Sequence, residues 1–231
     1  MCGRYFRRSD KQKIAEAFHV AQVGDFALPP WDCNVAPTTH QPVIRNNRET
    51  GERELVMMRW GLVPHFAKSL ADFKGFSTIN ARAESLQTTA MWRLPFQRRR
   101  CLIPADGFYE WKKLDAKTKQ PFAYSLKDGE PFAFAGLWEA WKDPGDGSWL
   151  QSYSIITTTP NELTAQVHNR MPVILEPKDY NRWLERVDNE RPPVDLLRPF
   201  PADEMEAREA NNHVGNVKNN SADLLNSACE G

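Results

Sequence analysis

No stretch of this sequence approaches 18 consecutive apolar residues, so a membrane-spanning helix is not expected. It also lacks a CxxC pair, an internal repeat and any low-complexity segment. Neither sign of charge is in excess. The 30 Lys and Arg against 30 Asp and Glu exclude a uniformly basic nucleic-acid coat but leave room for a local basic groove. Cysteine is sparse. Cys2, Cys33, Cys101 and Cys229 make no regular framework, and free thiols in a reducing cytoplasm are the simplest account. The opening residues, Met1-Cys2-Gly3-Arg4-Tyr5-Phe6-Arg7-Arg8, have no apolar core, so a secretory signal is not expected. His19, His40, His65, His168 and His213 are scattered without a thiolate cluster, so neither zinc nor another cofactor is expected.

What is present suits a folded chain. At roughly 100–200 residues per domain, the length suggests one large domain or two small ones. The 8 Trp and 12 Phe argue against disorder. Ser9-Asp10-Lys11-Gln12 signals a helix start, with Ser9 as cap, Gln12 reaching back, and Ile14, Ala17 and Phe18 on one face. Residues 41–45 and 54–62 read as strands, and 82–96 as a helix interrupted near Pro95 that leads into Arg98-Arg99-Arg100. Further strands are expected at 101–112, 121–126, 131–141 and 149–159, divided by turn chemistry at Asp128-Gly129 and at 143–147. Asn161 caps a short helix through Val167, 171–175 is a short strand, Pro177 opens a helix through Val187, and a last helix is expected at 202–210. No linker divides the chain. The expectation is one α+β domain over 1–225, with a strongly curved, mostly antiparallel sheet or barrel, peripheral helices and a frayed tail at 226–231.

Cys2 is the most informative residue. Removal of Met1 by an aminopeptidase would expose a free α-amine beside its thiol, and a 1,2-aminothiol condenses with an aldehyde to a thiazolidine. The ordinary amine and thiol pKa values, near 7.7–8.0 and about 8.5, leave both groups partly nucleophilic at neutral pH. Position alone favours an ordinary buried small residue, because a cysteine at position 2 is not rare. Alternation in Asp106-Gly107-Phe108-Tyr109-Glu110-Trp111 sends Phe108 and Glu110 to one face, where aromatic surroundings would raise a carboxyl pKa as a general acid requires; an edge-strand surface glutamate is the bland alternative. His168, on the loop His168-Asn169-Arg170-Met171-Pro172, is placed for proton transfer or simply for solvation. In 77–84, where a strand is expected to give way to a helix, Asn80 can orient a substrate and Arg82 can hold a phosphate, or both can pin the turn. His65-Phe66 on a proline-rigidified loop and the basic run at 98–100 suit single-stranded nucleic acid, by base stacking and backbone contacts.

Seven segments occur here in the order seen in one family. They are Met1-Cys2-Gly3-Arg4, Asn34-Val35-Ala36-Pro37, Trp60-Gly61-Leu62-Val63-Pro64, Asn80-Ala81-Arg82-Ala83-Glu84, Asp106-Gly107-Phe108-Tyr109-Glu110-Trp111, His168-Asn169-Arg170-Met171-Pro172 and Val214-Gly215-Asn216-Val217-Lys218-Asn219. The chain resembles the SRAP family, the SOS response-associated peptidases or abasic-site-processing proteins, from residue 1 to about 225. The resemblance implies binding of single-stranded DNA and covalent trapping of an abasic site through Cys2 once Met1 is gone, in the DNA-damage response. It implies Cys2 as nucleophile, Glu110 as acid–base residue, His168 assisting ring opening and reversal, and Asn80 positioning the reacting group. Arg4, Asn34, His65, Phe66 and Arg82 would contact DNA. Phe66 stands where many relatives carry tryptophan, a smaller stacking platform. The resemblance further implies a monomer in the cytoplasm at nucleoid DNA, beside replication-fork proteins, with self-removal of Met1 as a peptidase. Two other classes stay open: a thiol hydrolase acting on peptides through Cys2, His168 and Asn80, and a non-catalytic single-strand binding module.

Overall fold

A computed structural model describes residues 2–73, 78–185 and 192–225. The apolar stretch 101–112, expected as one strand, is two strands in two different sheets: β7 (Arg100–Ala105) and β8 (Gly107–Lys113) are separated at Asp106. The Asp106 carboxylate accepts from Arg8 N, Ser9 N and Ser9 Oγ at 2.7, 2.9 and 2.8 Å, which ties the bend to the segment after the first strand. Gly107 follows because nothing larger fits. A Cβ there would lie 2.1 Å from Phe6 Cζ and 2.3 Å from the Tyr124 carbonyl oxygen.

The smaller sheet holds β1 (Tyr5–Arg7), β3 (Asp32–Val35), β8 (Gly107–Lys113), β9 (Lys119–Leu126) and β14 (Met205–Glu209), in the order β14-β9-β8-β1-β3. The larger one runs β12-β11-β10-β7-β4-β5-β2. Its members are β2 (Gln22–Val23), β4 (His40–Asn46), β5 (Arg53–Trp60), β7 (Arg100–Ala105), β10 (Phe132–Lys142), β11 (Trp149–Thr158) and β12 (Met171–Pro172). β5 returns to pair in parallel with β11, Arg59 opposite Ser152 and Trp60 opposite Tyr153, and this closes a barrel. Two short pieces complete it: β6 (Asn80–Arg82) lies parallel to β11, and β13 (Ile174–Leu175) antiparallel to β10. The α+β architecture with a curved, mostly antiparallel barrel is the one expected.

Alternation sorts the side chains. Phe132, Phe134 and Trp138 of β10 face inward with Tyr5, Trp60, Phe108, Tyr153 and Cys2. Ala133, Ala135 and Leu137 face outward, under a layer that includes Ile14 of α1 (Lys11–Ala17), Trp92 and Phe96 of α2 (Ala90–Arg98), and Trp183 of α3 (Tyr180–Leu184). The barrel interior is crowded enough that Gly136 has no room for a Cβ, which would sit 2.1 Å from Ile103 Cδ1.

Several expectations need correction. The cap of α1 is Asp10, whose carboxylate accepts from Lys13 N; Ser9 is buried on Asp106 instead. The helix expected over 82–96 begins only at Ala90, because 80–82 is claimed by pairing with β11 and 83–85 is a single 3-10 turn. Pro95 lies inside it. Its missing N–H falls where Met91 O would accept, a tolerable loss in a short helix packed on the barrel. The helix expected over 202–210 is a strand after one 3-10 turn, since Met205 and its neighbours complete the edge of β9. The helix expected after Pro177 is a 3-10 turn and then α3; its end at 186–187 and the frayed tail at 226–231 lie outside the described residues.

Candidate active site

Cys2 precedes β1 and is carried into the barrel by it. The backbone of Tyr109 donates to Arg4 O at 3.0 Å, so the residues before β1 run alongside β8. Cys2 is fully buried, and its Sγ points to Arg4 O at 3.8 Å. Burial pushes the thiol well above its ordinary pKa, and the nearby Glu110 charge adds to the effect. Asn80 at the start of β6 donates from Nδ2 to Cys2 O at 2.9 Å. The parallel pairing of Asn80 with Ile155 aims this amide inward; its Oδ1 is buried and accepts no hydrogen bond among the described residues.

Glu110 shares its face of β8 with Phe108, as the alternation requires, and is buried. Desolvation raises its carboxyl to about 7, so at neutral pH it is divided between donor and acceptor forms. Tyr124, one strand over and diagonal to Glu110 across the β8–β9 pairing, is also buried; its hydroxyl has no hydrogen-bond partner among the described residues.

His168 is held differently from a solvated loop histidine. Its Nδ1 lies 3.0 Å from Arg170 N and 3.3 Å from Arg170 O, so the Arg170 backbone fixes the ring's orientation. Burial lowers its pKa from the ordinary value, which favours the neutral ring. Arg170 in turn is clamped by Glu84, with Nη1 to Oε1 at 2.6 Å and Nη2 to Oε2 at 2.9 Å, and donates to Thr157 O at 2.6 Å. This fork joins the His168 loop to the turn after β6. Sequence reading quoted both residues within motifs but assigned them no role, because nothing local shows a contact between residues 86 positions apart. Arg170→Ala is expected to cost about 3 kcal/mol, since it leaves the Thr157 carbonyl and Glu84 without their donor. Glu84→Gln is expected to cost about 1 kcal/mol, because the Glu84 side chain is 55% exposed. Urea midpoints measure both; equal losses would remove the buried carbonyl bond from the account.

The residues expected to touch DNA divide into three groups. Arg82, on β6 opposite Thr157, is exposed. Arg4 and Asn34 face each other inside the molecule. Arg4 Nη1 donates to Asn34 Oδ1 and Val214 O, both at 2.8 Å, while Asn34 Nδ2 donates to Val214 O, Asn216 O and Asn219 O. The two side chains brace the C-terminal motif, which explains why Asn34 sits 4% exposed. His65 and Phe66 lie on a separate loop pinned by Trp141 Nε1 to Ala67 O at 2.8 Å. Phe66 is 54% exposed, its ring edge-on to His65, and His65 Nδ1 lies 3.2 Å from Glu139 Oε2. The basic positions do not form one patch: Arg7 and Arg100 are buried and bonded to backbone carbonyls.

The chain is similar to known proteins along nearly its whole length. The abasic site processing protein YoqW of Bacillus subtilis is 42% identical over 98% of this chain and 100% of its own. The abasic site processing protein YMR114C of Saccharomyces cerevisiae is 32% identical over 83% of this chain and 51% of its own. A crystal structure of a protein from Bacteroides thetaiotaomicron superposes with a TM-score of 0.87 at 25% identity, covering 98% of this chain and 100% of that one. A family model described as SOS response associated peptidase (SRAP) matches residues 1–217. The chain therefore belongs to the SRAP family.

Proposed function

We propose that this protein traps abasic sites in single-stranded DNA by forming a thiazolidine with Cys2 after Met1 is removed. The observation that carries the reading is the meeting of three groups from distant parts of the chain: buried Cys2, Asn80 holding its carbonyl at 2.9 Å, and buried Glu110 with a carboxyl near 7. The Cys2 amine attacks the aldehyde carbon of the opened sugar, and loss of water leaves an imine. The thiol sulfur then adds to the imine carbon while its proton passes to the nitrogen, closing a five-membered ring. Glu110 moves protons in both stages, giving one to the departing oxygen and taking one from sulfur. A carboxyl near 7 does both at the same pH. His168, oriented by the Arg170 backbone, donates to the sugar oxygen as the ring opens. Asn80 keeps the Cys2 backbone, and so the amine, in line. Exposed Arg82 takes a flanking phosphate, and Phe66 offers a stacking surface.

The thiol-hydrolase reading is disfavoured by one property. A hydrolytic cysteine works as a thiolate with a lowered pKa, and burial drives the Cys2 thiol the other way. Imine capture needs no thiolate in advance, because the amine reacts first. The test is intact mass before and after incubation with an oligonucleotide carrying one abasic site. The expected product is protein lacking Met1 plus the strand, less one water. A mass increase of the strand with Met1 still in place would overturn the mechanism.

A further inference from the structure

The Arg98-Arg99-Arg100 run points three ways. α2 ends at Arg98, Arg99 turns the chain with φ −137° and ψ 54°, and β7 begins at Arg100. Arg100 goes inward onto the carbonyls of Phe96, Gln97, Trp183 and Glu185, while the other two open onto the surface. Arg99 lines a cleft of about 660 Å³ together with Arg45, Arg48, Lys142, Trp138 and Trp149. Arg98 lines a neighbouring hollow of about 530 Å³ that shares Asn47, Arg48 and Trp138 with the first.

Cations converge on the indole between them. The guanidinium carbons of Arg45, Arg48 and Arg99 lie 4.2, 5.6 and 5.9 Å from the Trp138 ring. The walls of the first cleft carry Arg45, Arg48, Arg99 and Lys142 against Glu49 and Glu54; Glu54 pairs with Arg45, and Glu139, outside those walls, pairs with Arg99, so cations keep a small excess. Like charges gathered in a concave, low-dielectric site repel one another and focus a positive field outward; an anion relieves that cost. At the rim Trp149 is 67% exposed, with Lys142 Nζ 5.9 Å from its ring and directly across the β10–β11 ladder. An exposed indole beside cations is a stacking platform for a planar base, which an acidic peptide does not exploit.

The geometry points to a second nucleic-acid contact in this cleft: an undamaged stretch of single-stranded DNA, with a base on Trp149 and phosphates on Arg48, Arg98 and Lys142. The choice of DNA as ligand rests on the abasic-site reading; the cleft itself does not. Along β11 the Cys2 site lies at Ile155 and the cleft at Gln151, four residues or about 13 Å earlier. The strand held here is therefore not the abasic sugar but sequence beyond its immediate neighbour, and binding gains from length.

The test compares undamaged oligothymidylates of six and twenty nucleotides by fluorescence anisotropy, with wild-type protein, Trp149→Ala, Trp149→Phe, and the double variant Arg48→Glu, Lys142→Glu. All three positions are exposed, so folding is expected to survive. Expected for the 20-mer is a loss of at least fivefold with Trp149→Ala, partial recovery with Trp149→Phe, and a salt slope shallower by about 0.7 per phosphate contact removed. Six-nucleotide binding falls less, because a six-mer can still occupy the Cys2 site alone, and crosslinking of a short abasic strand stays at the wild-type level. Wild-type affinity of the variants for the 20-mer, no wild-type binding of the 20-mer, or equal displacement by a polyglutamate peptide would each overturn the proposal. The two readings fail separately. Normal abasic crosslinking with an indifferent 20-mer removes the cleft alone, whereas no crosslinking with Trp149-dependent 20-mer binding removes the trapping mechanism alone.

Discussion

Protein that keeps Met1 is expected to form no stable adduct with an abasic single strand, although its Cys2 thiol is intact. The thiol is buried and held protonated, and with Met1 in place the Cys2 nitrogen is a peptide amide, so no imine forms on it and sulfur cannot close a five-membered ring; an imine on the Met1 amine stays open and hydrolyses. The effect is a loss of the product, read as the disappearance of the slow-migrating band on a denaturing gel. Cys2→Ser, processed to a free amine, is expected to retain at most an imine, visible only after borohydride reduction. A Met1-retaining form that crosslinks like the processed one would replace the amine-first mechanism with direct thiol attack.

Glu110→Gln is expected to slow adduct formation by about 10²–10⁴-fold, the usual worth of a positioned acid–base group, while binding of undamaged DNA changes little. The wild-type rate should be bell-shaped. Its falling limb above about pH 7 reports loss of the protonated carboxyl that serves the departing oxygen, and this limb vanishes in the variant. The same substitution should stabilise the fold, with a definite pH dependence. Burial raises the carboxyl from 4.5 to about 7, so its contribution to stability is complete below 4.5 and lost as pH rises through 7. Above that, ionised Glu110 costs up to roughly 3 kcal/mol that glutamine does not. Thermal melts should therefore coincide at pH 4 and separate by about 5–10 °C at pH 8, the variant higher. A slower variant with no gain at pH 8 would mean that Glu110 is solvated, and an unchanged rate would remove it from the proton transfers.

The strand pattern of the barrel was legible because strand alternation and turn chemistry are local. The segments at 121–126, 131–141 and 149–159 correspond to β9, β10 and β11 within about two residues. The segment 202–210 was misread for the opposite reason. Its composition favours a helix, but an edge of β9 was left to pair, and the ladder outweighed propensity. Likewise Arg82, expected to open a helix, carries no helix-breaking signal; the open side of β11 keeps it in a strand with Asn80 and Ala81. At the site, the residue types and their order in the chain were enough to nominate Cys2, Asn80, Glu110 and His168. The raised Glu110 carboxyl was expected from its aromatic strand, but the states of Cys2 and His168 were not readable. The carboxyl near 7, the lowered His168 pKa and the buried thiol follow from desolvation, which depends on what the barrel places around each group.

By itself, then, the sequence determined a single α+β family domain and nominated its candidate reactive groups, since motifs and periodicities are properties of neighbouring residues. Tertiary structure decided the rest. It turned Arg4 and Asn34 toward each other as an internal brace and clamped Arg170 between Glu84 and Thr157. It also split one arginine run between a carbonyl cage and an open cleft around Trp138. Each of these joins residues tens of positions apart, and the physical reason is the same throughout. A charged side chain brought toward a low-dielectric interior must find partners wherever the fold supplies them, and no local pattern encodes which strand will arrive opposite.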